Sequence, residues 1–118
     1  MSKRILIAED DQGSRELVTI RAINKGYEVV AVTNGFDLLA ASAKEQFDLV
    51  ITDLRMPDLD GTSATEIMKL QRDTTPVIAL TALSPNEVLL VQSTFIKIFH
   101  KPCNYNELFD YVESLIGK

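Results

Sequence analysis

Short apolar runs alternate with longer amphipathic stretches along the whole chain. The runs at residues 5–8, 49–51 and 77–80 are continuously apolar, with no polar residue at alternate positions. Strands that are buried on both faces have this pattern, and such strands belong to parallel sheets covered by helices. Two less regular runs, at residues 27–32 and 95–99, bring the number of predicted strands to five.

The stretches between these runs carry apolar residues at helical spacing. Leu17, Ile20 and Ile23 share one helical face, and Gly26 is a suitable helix stop. Pro85 suits the first position of a later helix. The apolar faces of the other four predicted helices are Leu38, Leu39 and Ala43; Ile67, Met68 and Leu70; Val88, Leu89 and Val91; and Leu108, Val112 and Leu115. Alternating strands and helices predict an α/β sandwich with right-handed crossovers.

Length and composition indicate a single domain over residues 1–118, since the chain is long enough for one core and too short for two. The net charge of −5 argues against direct binding of nucleic acid, which favours basic surfaces. A single cysteine, Cys103, excludes an internal disulfide and fits a reducing compartment. The first apolar run is too short for a secretory signal or a membrane span. We therefore expect a cytoplasmic protein without a membrane partner.

Polar side chains follow the carboxyl ends of four predicted strands. In parallel α/β sheets these ends meet at one edge, which is where ligands bind. We therefore expect acids, a hydroxyl and an ammonium group to gather there. The residues are Glu9, Asp10, Asp11, Asp53, Thr81 and Lys101.

These residue types support phosphoryl transfer. Carboxylates as close as Glu9, Asp10 and Asp53 would repel one another, which raises a pKa or recruits a cation. An all-oxygen site of this kind suits Mg²⁺ or Mn²⁺. A carboxylate beside such a cation can attack phosphorus. Lys101 can neutralise the transferring group, and Thr81 can donate a hydrogen bond to it.

Each residue alone also has a simpler interpretation. Asp11 is better interpreted as the N-cap of the first helix than as a ligand. Thr81 alone would be a turn or cap residue, and Lys101 alone a solvated surface lysine. His100 is interpreted as a partly exposed structural residue and Cys103 as an inert thiol.

Four motifs in order resemble the response-regulator receiver domain of two-component signalling. They are residues 5–11 (ILIAEDD), 48–61 (DLVITDLRMPDLDG) and 77–82 (VIALTA), and Lys101-Pro102. The resemblance spans nearly the whole chain, and the second motif is highly specific. It implies a three-layer flavodoxin-like sandwich with a five-stranded parallel sheet in the order 2-1-3-4-5 and five helices.

The resemblance also implies roles for the acidic residues. Asp53 would be the phospho-acceptor. Asp10 would bind the metal ion directly, Glu9 would bind it mainly through water, and the backbone carbonyl of Arg55 would be a further ligand. The expected metal is Mg²⁺, with Mn²⁺ as the alternative.

Outside the metal site, the resemblance makes Thr81 the switch hydroxyl and Lys101 the partner of the phosphoryl group. The peptide bond from Lys101 to Pro102 is often cis in this family. The phosphodonor would be a phosphohistidine on a sensor histidine kinase or a histidine phosphotransfer protein. The downstream partner would be a protein that the sequence does not identify.

Two departures from the family pattern put the usual output mechanism in doubt. Ile98 stands where the family has an aromatic residue, three positions before the lysine, and Phe99 should point to the opposite face of the strand. The segment from Ser84 to Phe95 is also shorter than usual.

Three alternatives remain at this point. The chain is either a free-standing receiver or a piece of a longer regulator. A small-molecule phosphatase with an aspartate nucleophile is disfavoured, because Arg55 stands where such enzymes carry a second acid. A receiver reduced to a binding module is disfavoured by the intact acids, Thr81 and Lys101.

Overall fold

The computed structural model describes residues 2–118 and contains one sheet of five parallel strands in the order β2-β1-β3-β4-β5. This order and the parallel pairing confirm the predicted flavodoxin-like sandwich. The strands are β1 (Arg4–Ala8), β2 (Glu28–Val32), β3 (Leu49–Thr52), β4 (Val77–Thr81) and β5 (Lys97–His100). The helices are α1 (Gln12–Asn24), α2 (Gly35–Lys44), α3 (Gly61–Leu70), α4 (Pro85–Val88) and α5 (Tyr105–Ile116), with a 3-10 helix at Gln92–Thr94.

The two faces of the sheet carry two separate cores. Side chains alternate along a strand, so Ile5 and Ile7 of β1 enter one core while Leu6 and Ala8 enter the other. The first core includes buried residues of α1 and α5, and the second includes buried residues of α2, α3 and α4. Burial on both faces explains why the runs of β1, β3 and β4 show no polar alternation.

All five helices begin at a short polar side chain that accepts a backbone N–H of the first turn. This local signal places the helix starts directly after the loops at the carboxyl edge of the sheet. The N-caps are Asp11, Asn34, Asp60, Ser84 and Asn104. The prediction that Asp11 caps α1 is confirmed.

The predicted buried face of α1 is wrong. Leu17, Ile20 and Ile23 do share a face, but they are 42%, 54% and 54% exposed. The helix instead packs Val18 and Ala22 into the first core. Small and β-branched residues such as Val18 and Ala22 fit closely against the sheet. The face that carries them is therefore the one that packs on the sheet.

The region between β4 and β5 departs from the predicted boundaries. The fifth run was expected at residues 95–99, but β5 covers Lys97–His100. Phe95 is buried in the second core, and its N–H closes the 3-10 turn by donating to the carbonyl of Gln92 at 3.3 Å. Within the segment from Ser84 to Phe95, α4 has only four residues.

Ile98 and Phe99 lie on opposite faces of β5, as expected from strand periodicity. Ile98 packs against the second core, and Phe99 packs against the first, where its ring contacts Tyr111 edge-on at 5.8 Å between centroids. Ile98 therefore occupies the face beside α4, and no aromatic side chain of β5 lies there.

Candidate functional site

Backbone hydrogen bonds between neighbouring strands continue one residue beyond the ends of β3 and β5. They fix the backbone positions of two candidate residues. The Asp53 N–H donates to the carbonyl of Ala8 at 2.9 Å, and the Lys101 N–H donates to the carbonyl of Thr81 at 2.7 Å. Asp53 and Lys101 therefore start from positions set by the sheet. Their side chains extend over its carboxyl edge, where the sequence predicted a site.

The ammonium group of Lys101 joins two of the predicted acids. Its Nζ donates to Asp53 Oδ2 at 2.9 Å and also contacts Glu9 Oε1. The side chains are 18% exposed for Lys101, 11% for Asp53 and 5% for Glu9. Charges shielded from water in this way interact more strongly than surface pairs. The ammonium therefore holds both carboxylates in a defined geometry.

Three carboxylates at this edge meet the requirements of a divalent-cation site. Oxygen atoms of Glu9, Asp10 and Asp53 lie within 4.8 Å of one another, with Asp10 exposed to solvent. Three negative charges face the single positive charge of Lys101, which leaves an excess that a cation can neutralise. The donor set contains only oxygen, the ligand type that Mg²⁺ prefers. The residues present therefore fit the expected metal.

The environment shifts the pKa of both members of the Glu9–Lys101 pair upward. Burial raises the pKa of Glu9, with a further contribution from the charge of Asp53, against the opposing hydrogen bond from Lys101. For Lys101, burial lowers the pKa, but its hydrogen bonds to Glu9 and Asp53 outweigh that effect. Lys101 is thus held in its charged form.

The second oxygen of Asp53 is bound by the backbone. Leu54 donates its N–H to Asp53 Oδ1 at 2.6 Å, and the Arg55 N–H lies 3.4 Å from the same atom. Gly61 begins α3 against the carbonyl oxygen of Asp53, and a Cβ atom there would overlap this oxygen. The glycine of the 48–61 motif therefore allows the helix to approach the site closely.

A cavity of about 170 Å³ adjoins Asp53 on the side of β4. Thr81 is buried beside it, and its Oγ1 accepts the N–H of Leu83 at 3.2 Å. The hydroxyl accepts in this bond and keeps its own hydrogen for donation to a further acceptor. The residues lining the cavity are Asp53, Arg55, Thr81, Ala82, Leu83 and Glu87.

Arg15 was not predicted as a site residue, but its side chain binds the backbone of the acidic loop. Its Nη1 donates to the carbonyl oxygens of Glu9 at 3.0 Å and Asp10 at 3.3 Å. The side chain of Asp11 caps α1 by accepting the N–H of Ser14 at 2.8 Å, and this hydrogen bond lowers the pKa of Asp11. The one available signal for Arg15 was its place one turn after the acidic loop.

Glu87 was also not predicted from the sequence, and it forms an ion pair with Arg55. Arg55 Nη2 lies 3.1 Å from Glu87 Oε2. Glu87 stands three residues after the N-cap Ser84 and completes a capping box with it. The pattern of Ser followed by Glu three positions later, next to Pro85, was a sequence signal for this arrangement.

His100 and Cys103 lie near the site without joining the acidic cluster. His100 is half-buried and its Nδ1 lies 3.0 Å from the carbonyl oxygen of Leu83, which agrees with a structural role. Burial raises the pKa of the Cys103 thiol, which agrees with an unreactive cysteine. The peptide bond from Lys101 to Pro102 is cis, as the resemblance implied.

In the described part of the chain, residues 2–118, none of the helices has the length and apolar character needed to cross a membrane.

Nearly the whole chain matches one known protein family. The response regulator receiver domain family matches residues 5–113. The transcriptional regulatory protein GlrR of Escherichia coli is 34% identical over 115 residues, which are 95% of this chain and 26% of that protein. This chain therefore spans about a quarter of the length of that relative.

Solved structures share the fold over their full lengths. The receiver domain of the sensor histidine kinase PA1611 from Pseudomonas aeruginosa, with a magnesium ion coordinated in its active site cleft, aligns with a TM-score of 0.90, 28% identity and 100% coverage of both chains. The response regulator TrrA of Thermotoga maritima, in complex with Mg²⁺-BeF, aligns with a TM-score of 0.88 and 30% identity, covering 96% of this chain and 98% of that one. By sequence, fold and comparison, this chain belongs to the response regulator receiver domain family, whose members act as phosphorylation-activated switches in two-component signalling.

Proposed function

We propose that Asp53 of this chain accepts a phosphoryl group in a reaction that requires Mg²⁺, with Mn²⁺ as a substitute. The observation that carries this proposal is the contact of Lys101 Nζ with Asp53 Oδ2 at 2.9 Å, inside a cluster that also holds Glu9 and Asp10. Asp10 would bind the metal ion directly, and Glu9 would bind it mainly through water. Asp53 and the backbone carbonyl of Arg55 would be the further protein ligands.

The side chains at the edge have separate tasks in the transfer. A carboxylate oxygen of Asp53 attacks phosphorus, the bond from phosphorus to the donor nitrogen breaks, and the electron pair stays on that nitrogen. A divalent cation held by these carboxylates would supply positive charge to offset the negative charge on the oxygens of the transferring group. The ammonium group of Lys101 offsets negative charge on the same oxygens. Thr81 donates its hydroxyl hydrogen to one of them while still accepting the N–H of Leu83.

The donor is a phosphohistidine on a sensor histidine kinase or a histidine phosphotransfer protein, and the output is altered binding to a downstream protein. Residues 1–118 form a single receiver domain that catalyses its own phosphorylation and dephosphorylation. The origin of the PA1611 receiver in a sensor kinase supports this kind of partner. The net charge of −5 supports a protein target over direct contact with nucleic acid. The lone Cys103 supports the cytoplasm as its location.

The test is to incubate the protein with phosphoramidate or acetyl phosphate and Mg²⁺ and to follow its intact mass. We expect one phosphoryl group to be added to the wild-type protein and none to Asp53→Asn. Chelation of the metal should prevent labelling of the wild type. Labelling that persists unchanged in Asp53→Asn would show that a different residue is the acceptor.

A further inference from the structure

An ion pair stands at the rim of the cavity beside Asp53. Within that cavity, Thr81 and Asp53 are buried or nearly so, whereas the side chains of Arg55 and Glu87 are 78% and 48% exposed. The buried residues therefore form the base, and the pair, 3.1 Å between Arg55 Nη2 and Glu87 Oε2, closes part of the rim. The pair joins the loop after β3 to the start of α4, 32 residues away.

Hydrogen bonds to Ser84 hold Glu87 in place independently of Arg55. Its Oε1 accepts the N–H of Ser84 at 3.0 Å, while its own N–H donates to Ser84 Oγ at 3.3 Å. This capping box leaves Oε2 free to face Arg55. Hydrogen bonding to Ser84, with a smaller contribution from Arg55, lowers the pKa of Glu87, so the carboxylate stays charged at neutral pH.

Arg55 starts next to the acceptor, and its side chain would have to turn away from Glu87 for the guanidinium to approach Asp53. Its backbone N–H already lies 3.4 Å from Asp53 Oδ1. An exposed ion pair is weak because water competes for both charges. A phosphoryl group on Asp53 would carry nearly two negative charges in a less exposed place, whereas Glu87 carries one. Phosphorylation would therefore outcompete Glu87 for the guanidinium.

We propose that Glu87 is a positioning residue that withholds Arg55 from Asp53 until the phosphoryl group arrives. This inference rests on the proposed function of Asp53. Glu87 lowers the rate at which a small anionic phosphodonor reacts, because Arg55 is not free to attract it. After transfer, Arg55 leaves Glu87, covers the phosphoryl oxygens and slows the attack of water on phosphorus. In that hydrolysis the bond between phosphorus and the Asp53 oxygen breaks, the carboxylate is restored, and inorganic phosphate leaves with the oxygen and both protons of the water.

The pair also gives phosphorylation a route to α4. When Arg55 turns inward, α4 loses its tie to the β3–α3 loop, while Ser84 and Glu87 still cap the helix. The inward-turning aromatic residue of the family is replaced here by Ile98, which packs beside α4. The loss of the contact between Arg55 and α4 would therefore change the face formed by α4 and β5. This is the face on which Ile98 replaces the aromatic residue.

The experiment is a double-mutant cycle with Glu87→Gln, Arg55→Gln and the double variant. Glutamine at 87 keeps an oxygen that can accept the Ser84 N–H, while its NH2 group carries no charge and cannot accept a hydrogen bond from Arg55. We measure the rate of labelling by phosphoramidate with Mg²⁺ and the rate of loss of the phosphoryl group after the donor is removed. Phosphoramidate loses ammonia as Asp53 takes the phosphoryl group. Glu87→Gln should label roughly two- to fivefold faster and lose the group more slowly, which is the range that one exposed charge pair supports.

The double-mutant cycle shows whether the effect of Glu87→Gln on the two rates depends on Arg55. In the Arg55→Gln background, Glu87→Gln should change neither rate. The matched control is Glu45→Gln, which breaks the exposed Arg4–Glu45 pair of 2.7 Å far from the site and should leave both rates at the wild-type value. An effect of Glu87→Gln that persists without Arg55, or equal rates in Glu87→Gln and wild type, would overturn the inference. Absence of any labelling of wild-type Asp53 would instead contradict the proposed function.

A second measurement follows the Arg55 side chain directly, in the wild-type protein and in Glu87→Gln. The side-chain Nε–H signal of Arg55 should shift in NMR spectra when beryllofluoride and Mg²⁺ are added, because the guanidinium leaves Glu87. In Glu87→Gln the signal without beryllofluoride should already differ from wild type. A wild-type signal that stays in place after the protein has bound beryllofluoride would equally overturn the inference.

Discussion

The imidazole ring of His100 holds the backbone of Leu83, with Nδ1 lying 3.0 Å from the carbonyl oxygen. Since a carbonyl oxygen only accepts hydrogen bonds, Nδ1 carries the proton in this contact. The N–H of the same residue, Leu83, donates to Thr81 Oγ1 at 3.2 Å. Leu83 is therefore tied to the last residue of β4 on one side and to the last residue of β5 on the other. This tie fixes the loop that follows Thr81, the residue expected to provide the switch hydroxyl.

Replacing His100 with alanine should loosen the loop between β4 and α4. We expect a loss of about 1 kcal/mol in the free energy of unfolding, as for one hydrogen bond, together with faster hydrogen exchange in this loop. Urea denaturation and native-state exchange measure the two effects. Lys97→Ala, an exposed change on the same strand, should stay within about 0.5 kcal/mol of wild type. Ring ¹⁵N spectra showing the neutral ring protonated at Nε2 alone would contradict the contact.

Mg²⁺ should stabilise the fold through the acidic cluster. A ligand that binds only the native state at ten times its Kd adds about 1.4 kcal/mol. Asp10→Ala should lose most of the rise in thermal midpoint that Mg²⁺ produces, because it removes one of the clustered carboxylates. The control is Asp110→Ala, which removes an exposed acid of α5 outside the cluster. Equal Mg²⁺ responses in Asp10→Ala and wild type would argue against the site.

Tyr27 should make the protein sensitive to alkaline pH. Its hydroxyl donates to the carbonyl of Gly117 at 2.7 Å, and burial, followed by the charge of Glu113, raises its pKa above 10.0. A raised pKa in the folded state means that this stabilisation is complete below pH 10 and is lost as pH rises through the folded-state value.

Tyr27→Phe should therefore cost about 1 kcal/mol near neutral pH and remove part of the decline above pH 10. Urea denaturation at a series of pH values measures both effects. Tyr111→Phe serves as the control because the Tyr111 ring is only half-buried. If the alkaline decline in Tyr27→Phe matched that in wild type, the hydroxyl of Tyr27 would not be its source.

The observed buried face of α1 predicts a large loss of stability at one position and a small change at a nearby one. Val18→Ala should destabilise the protein by about 1–3 kcal/mol, because Val18 is buried in the first core. Ile20→Ser should change stability by less than about 0.5 kcal/mol, since Ile20 is already 54% exposed. Denaturant unfolding of the two variants compares them directly. A larger loss in Ile20→Ser than in Val18→Ala would restore the face that the sequence predicted.

Strands and helix starts were accessible from the sequence because local patterns decide them. A run that must be buried on both faces, such as β3, admits few polar residues whatever its neighbours are. An N-cap such as Asp60 acts on its own first turn, through the N–H of Ser63 at 2.7 Å. The edge that gathers Asp53, Thr81 and Lys101 follows as well, since parallel strands end together.

Contacts between distant residues required the tertiary structure. The apolar pattern of α1 contains two candidate faces, and only packing against the sheet selects Val18 and Ala22 over the larger side chains. Lys101 and Glu9 are 92 residues apart, so no local pattern states that one ammonium bridges Glu9 and Asp53. The pairing of Arg55 with Glu87 at the cavity rim likewise depends on where α4 starts relative to β3. Periodicity along a chain selects the faces that are apolar, whereas the partner of each face or charge depends on three-dimensional packing that the local pattern does not contain.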